Sequence, residues 1–88
     1  MRFRWNSWNL EHISSHGIDP RDAEAAVRSA RAPYPLWRPD DKWLVWRARG
    51  GRLLQIVFIL DPDDVVYVIH ARNLTELEKS RYRRRRKP

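Results

Sequence analysis

The chain contains no cysteine. No disulfide therefore supplements its core, and no thiol can serve as a nucleophile; the composition fits a reducing compartment. Its three glycines form neither a Gly-rich phosphate loop nor a Gly-x-Ser-x-Gly elbow. No apolar run nears the roughly 18 residues of a membrane span, and the N-terminus lacks the apolar segment of a signal peptide. The expectation is a soluble, cytoplasmic protein with no membrane partner. His-Glu-x-x-His is also missing, because Glu11 precedes His12. His12 and His16 lie four apart on one helix face, and their plain reading is one surface histidine and one near a helix C-terminus. No metal and no cofactor are expected.

What the chain does have is basic charge, unevenly placed. Its net charge is +7. Lys79, Arg81, Arg83, Arg84, Arg85, Arg86 and Lys87 are seven of the 18 basic residues, and the other eleven balance the eleven acids of residues 1–78. The body is thus formally neutral, and the C-terminal end carries the excess. An arginine-dominated run points to a polyanionic or acidic partner, against the plainer reading of a solvated tail. Eighty-eight residues suit a single core. The expected organisation is one α+β domain over residues 1–82, followed by a basic C-terminal tail over residues 83–88.

Phe3 and Trp5 alternate with Arg2 and Arg4, the period of a short strand. Asn6 is placed to cap a helix from Ser7, with Trp5 and Leu10 spaced for a hydrophobic staple and Leu10 and Ile13 facing inward. Gly17 is the natural stop after His16. Asp19 and Pro20 open a second helix, whose stripe is Ala23, Ala26, Val27 and Ala30. Pro33, Pro35 and Pro39 then exclude a helix, and Tyr34 and Trp37 anchor an extended segment suited to a sheet edge.

Lys42 to Arg49 and Arg52 to Leu60 flank Gly50-Gly51, a strong hairpin signal. The second of these runs is apolar on both faces, so it belongs at the sheet centre or under cover on both sides. Asp61-Pro62-Asp63-Asp64 turns the chain into the β-branched run from Val65 to Ile69. Thr75 and Glu78 form a capping box that opens a last helix, which carries Lys79, Arg81 and Tyr82 before dissolving into the arginine run. The predicted fold is a small single α+β domain: an antiparallel three- to four-stranded sheet packed by two N-terminal helices and one C-terminal helix.

Metal-free RNA cleavage is within reach of these residues. The 2′-hydroxyl attacks the adjacent phosphate, so the protein must supply a base, an acid and positive charge. Arg47, Arg49, Arg52 and Arg72 come from adjacent strand ends. His70 exchanges protons near neutral pH, and Glu78 and Tyr82 follow on the helix. Strand alternation puts His70 and Arg72 on one face, with Ile69 and Ala71 on the other; Arg47 and Arg49 share a face opposite Trp46 and Ala48. Whether these sets meet depends on register. Each residue also has a plainer role: Arg72 paired with Glu78, His70 hydrogen-bonded in the core, Tyr82 packing the last helix. Trp37 and Trp43 are candidates for base stacking, whereas Trp5, Trp8 and Trp46 read as core.

The order of these motifs resembles the BrnT-type ribonuclease toxins of bacterial type II toxin–antitoxin systems. The likeness rests on Phe3-x-Trp5, His16-Gly17, Gly51-Arg52-Leu53-Leu54, Ile69-x-Ala71-Arg72 and Thr75-x-x-Glu78-x-x-x-Tyr82, which together span nearly the whole chain. It implies a RelE-like fold, metal-independent RNA cleavage that inhibits translation, and neutralisation by a small DNA-binding antitoxin. It carries Arg72 over as a phosphate-contacting or catalytic residue, with Arg47 and Glu78 beside it. Trp46 stands where such toxins place an acid, and His70 where they have Ser or Thr. Either His70 takes over proton transfer, or the nuclease is weak or inactive.

The alternative is a nucleic-acid-binding module without catalysis, using Arg49, Arg52, Lys79, Arg81, Tyr82, Arg83, Arg84 and Arg85. A third reading is an interaction protein with an acidic partner. The expected assembly is a homo-oligomer or a toxin–antitoxin hetero-oligomer.

Overall fold

The computed structural model describes residues 1–85. In chain order the elements are β1 (Phe3–Arg4), α1 (Ser7–Ser14), α2 (Pro20–Arg28), β2 (Leu36–Arg38), β3 (Lys42–Arg49), β4 (Arg52–Asp61), β5 (Val65–Asn73) and α3 (Glu76–Arg85). The strand that is apolar on both faces, β4, is central in a sheet ordered β1-β5-β4-β3-β2. Gly50 and Gly51, at φ of +59° and +79°, supply the positive dihedrals that a two-residue turn between β3 and β4 requires. The proline-rich segment does form an edge strand, β2, antiparallel to β3.

The sheet departs from expectation at its other edge. It has five strands and is mixed, because β1 runs parallel to β5, with Phe3 opposite Val66 and Arg4 opposite Tyr67. Two residues of alternation announce a strand but not a partner. The partner is set by the crossover: α1 and α2 carry the chain from β1 to β2 at the opposite edge, and the meander that follows ends with β5 beside β1.

Register decides which side chains share a face. Val45, Ile56 and Ala71 lie in one row across β3, β4 and β5, each fully buried. They form one core with Ile13 of α1 and Ala23, Ala26 and Val27 of α2. Each large aliphatic in that layer contributes roughly 1.5–3 kcal/mol of burial. The neighbouring row, Trp46, Gln55 and Arg72, faces the other way. There α3 and Tyr34 cover one end of the sheet: Tyr82 is buried with its ring 6.2 Å from that of Tyr34.

The helix caps follow the sequence, with one change inside α1. Asp19 accepts from the Arg21 N–H at 2.8 Å, and Pro20 opens α2. Asn6 caps α1 in a reciprocal box with Asn9, whose fully buried amide also donates to the Arg4 carbonyl at 3.1 Å. Asn9 therefore takes the inward place expected of Leu10, which is exposed. The Trp5 indole N–H donates to Glu24 at 2.7 Å. α1 ends at Ser14, and Gly17 turns the chain at φ +72°.

Thr75 caps α3 as expected. It accepts the Glu78 N–H at 3.2 Å and donates its own N–H to the Glu78 carboxylate at 2.9 Å. The helix runs on past Tyr82 to Arg85, so Arg83, Arg84 and Arg85 are helical; arginine is a good helix former. Arg86, Lys87 and Pro88 of the expected tail lie outside the described residues. Among the described residues, no helix is long and apolar enough to cross a membrane.

Candidate functional site

The face of the sheet left open by α3 is a groove of about 680 Å³. Its floor is built by alternation: Leu44, Val57 and Ile69 are apolar, and Gln55 and Arg72 are polar. α3 forms one wall with Glu78, Arg81 and Arg85. Leu36, Arg38, Asp40 and Lys42, around the turn between β2 and β3, form the other. Ile69 reaches this side because a register shift opposite Val57 and Phe58 breaks strict alternation in β5. The sequence had placed it on the other face.

Arg72 is held from three sides. Its two terminal nitrogens donate to the two Glu78 carboxylate oxygens at 2.7 and 2.8 Å, a fork-to-fork pair. It also donates to the Asn73 carbonyl at 3.0 Å and to Gln55 Oε1 at 3.3 Å. The same Oε1 accepts the Trp46 indole N–H at 2.9 Å. The Arg72 hydrogen bonds, joined by the Thr75 N–H and opposed by burial, hold the Glu78 carboxyl down at about 2. Such a carboxylate is a poor proton acceptor at neutral pH; its work is to hold Arg72 and cap α3.

His70 lies two residues before Arg72 on β5, opposite Val57, and also lines the groove. Its ring meets that of His16 edge-on at 5.4 Å. Burial first, then the neighbouring His16, Arg72 and His12, push its pKa below the ordinary histidine value. The imidazole is neutral at pH 7 and free to accept a proton.

Register separates the remaining expected arginines from this pair. Arg47 lies opposite Leu54, in the row that faces the helices, and donates to Ser29 Oγ at 3.1 Å. Arg49 pairs with Asp22 of α2 at 3.0 Å. Arg52 donates to Asn73 and to the Gly17 carbonyl at the hairpin end. Of Arg47, Arg49, Arg52 and Arg72, only Arg72 lines the groove. Lys79 and Arg83 line a separate hollow beside Arg52, and Lys79 pairs with Glu76 at 3.0 Å. Arg84 is exposed. Tyr82 is buried and packs α3, the plainer of its two readings. Arg85 lies over the Trp46 ring and donates to the Tyr34 hydroxyl at 3.2 Å.

Among the groove residues absent from the expected site are Gln55, Arg38 and Lys42. Gln55 had a signal, being the only polar residue between Leu53 and Leu60. Arg38 and Lys42, paired across the β2–β3 turn, had none that singled them out from other basic residues. Among the tryptophans, Trp46 is core as expected, whereas Trp8, also expected there, is half exposed. Its ring stacks on His12 at 3.9 Å. Trp37 is exposed, as a stacking residue requires, and so does not anchor its segment; Tyr34 does. Among the described residues, no group of His, Asp or Glu is arranged to hold a metal ion. No protein-family model matches the chain, and neither a curated protein nor a solved structure matches it.

Proposed function

We propose that the protein is a metal-independent RNA endonuclease, a toxin resembling the BrnT type with a RelE-like arrangement, neutralised by a small DNA-binding antitoxin. One observation carries this reading. A partly buried His70 and an Arg72 fixed by Glu78 line one groove, whose walls bear Arg38, Arg81, Arg85 and the Lys42–Asp40 ion pair.

In this reading the rim cations hold the RNA backbone, and His70 takes the proton of a 2′-hydroxyl. The 2′-oxygen bonds to phosphorus as the bond to the 5′-oxygen breaks, leaving a 2′,3′-cyclic phosphate. The imidazolium returns its proton to the departing 5′-oxygen. Arg72 faces the charge gathering on the phosphate oxygens. Glu78 acts as a positioning residue, which replaces the sequence expectation that placed it among the catalytic groups.

A second reading, RNA binding without cleavage, is favoured by the same fork. Both terminal nitrogens of Arg72 already point at Glu78. End-labelled RNA incubated in chelator with wild type, His70→Ala and Arg72→Ala separates the two. The nuclease reading expects wild-type cleavage that falls about 10²–10⁴-fold in His70→Ala, together with growth arrest on expression that the same substitution relieves. Wild-type activity should also decline in acid as His70 takes up its proton. RNA bound but left intact establishes the second reading, and RNA neither bound nor cut removes both.

A further inference from the structure

Gln55 is the one amide of β4; it sits between Trp46 and Arg72 across the strands and shares the groove floor with Leu44, Val57 and Ile69. Its orientation is not a free choice. Trp46 Nε1 and the Arg72 guanidinium are donors only, and both meet the same atom, Oε1, at 2.9 and 3.3 Å. A carbonyl oxygen has two lone pairs, so Oε1 is fully used. Nε2 has no protein acceptor among the described residues. None of their side-chain nitrogens or oxygens is both fully buried and unpartnered, so Nε2 opens into the groove that Gln55 lines. The groove therefore offers, from its floor, an amide that can donate and can no longer accept.

Polarity divides the groove in a way that says what this donor meets. The positive charge of Arg38, Arg81 and Arg85 lies on the walls, beside the Lys42–Asp40 ion pair, where phosphates keep contact with water. Beyond its cross-strand neighbours Trp46 and Arg72, the floor beside Gln55 is the aliphatic patch of Leu44, Val57 and Ile69, which suits the flat face of a base. We infer that this floor is a nucleobase subsite that selects keto bases, through donation from Gln55 Nε2 to O4 of uracil or O6 of guanine. An amino base presents N–H₂ at the corresponding position, and the saturated Oε1 cannot receive it. The inference rests on the proposed action on RNA and adds the residue that reads the base.

The test compares 2′-O-methyl oligo(U) with 2′-O-methyl oligo(C) of equal length, at one salt concentration. These strands cannot be cleaved through their 2′-oxygens. They carry equal phosphate charge, so the electrostatic contribution cancels. Wild type should bind oligo(U) about three- to tenfold more tightly, the worth of one hydrogen bond. Gln55→Glu keeps an acceptor for Trp46 and Arg72 but turns a second acceptor into the groove; it should invert the ranking in favour of oligo(C). Gln55→Met, which has no hydrogen to donate, should bring the two to parity and serves if the glutamate variant does not fold. Equal wild-type affinities, or an unchanged ranking in the folded variants, overturn the subsite while leaving RNA binding in place. A wild type that binds neither strand overturns the RNA reading along with it.

Discussion

Arg72 and Glu78 are the pair on which the site turns, and their contribution to stability depends on pH. The Glu78 carboxyl titrates at about 2 in the folded chain, against an ordinary value of 4.5. A carboxylate with a depressed folded pKa stabilises the fold fully above its unfolded value and loses that contribution as pH falls through the folded one. The two side chains are 29% and 19% exposed, so water screens the pair, and we expect it to contribute about 1–2 kcal/mol. Urea denaturation at pH 7 should find Glu78→Gln less stable by that amount. The gap should close between about pH 4.5 and pH 2; an undiminished gap in acid would mean that ionisation of Glu78 is not its source.

At the scale of elements, caps and turns were legible and directions were not. Asn6, Asp19, Thr75 and the Gly50-Gly51 turn each satisfy a local requirement that the sequence states within four residues. Which face of α1 turns inward depends instead on what it meets. The buried Asn9 amide donates to the Arg4 carbonyl and accepts the Asn6 N–H, and this outweighs the apolarity of Leu10. Asn9→Leu should therefore lower stability by about 2–3 kcal/mol, since it strands buried polar groups. Leu10→Asn, on the exposed side, should change it by no more than about 0.5 kcal/mol. Denaturant midpoints of the two variants check this directly, and equal losses would refute it. The site was legible to the same extent. The Thr75 and Glu78 spacing and the Arg72 motif led to the fork, but one residue of register decided that Arg47 faces α2. The extra residue in β5 brought Ile69 into the groove.

Across the whole molecule, both sheet faces hold paired basic residues, Arg72 with Glu78 and Lys42 with Asp40 on the groove side, but the groove also has Arg81 and Arg85. Arg49 on the helix-covered face is neutralised by Asp22, and Arg47 is engaged by Ser29. Arg81 and Arg85 line the open groove. RNA affinity plotted against salt should separate them. Arg81→Ala with Arg85→Ala should flatten the slope by about 1.4, roughly 0.7 per phosphate contact on a single strand. Arg47→Ala with Arg49→Ala should leave the slope unchanged. A slope that responds equally to both pairs would place the RNA on neither face in particular. Net charge alone, readable from composition, could not make this distinction.

The parallel pairing of β1 with β5 also sets an order of events. β3, β4 and β5 close on one another through short turns, whereas Phe3 must find Val66 across most of the chain. Such closure costs entropy before any contact rewards it. The meander is the natural folding nucleus, and β1 docks after the barrier, drawn in by the Arg4–Asp61 ion pair and the Arg4 guanidinium over the Tyr67 ring. Arg4→Ala should then speed unfolding while leaving the refolding rate unchanged, a φ-value near zero in stopped-flow kinetics. The N-terminal strand works as a latch whose strength governs how long the folded molecule lasts rather than how quickly it forms.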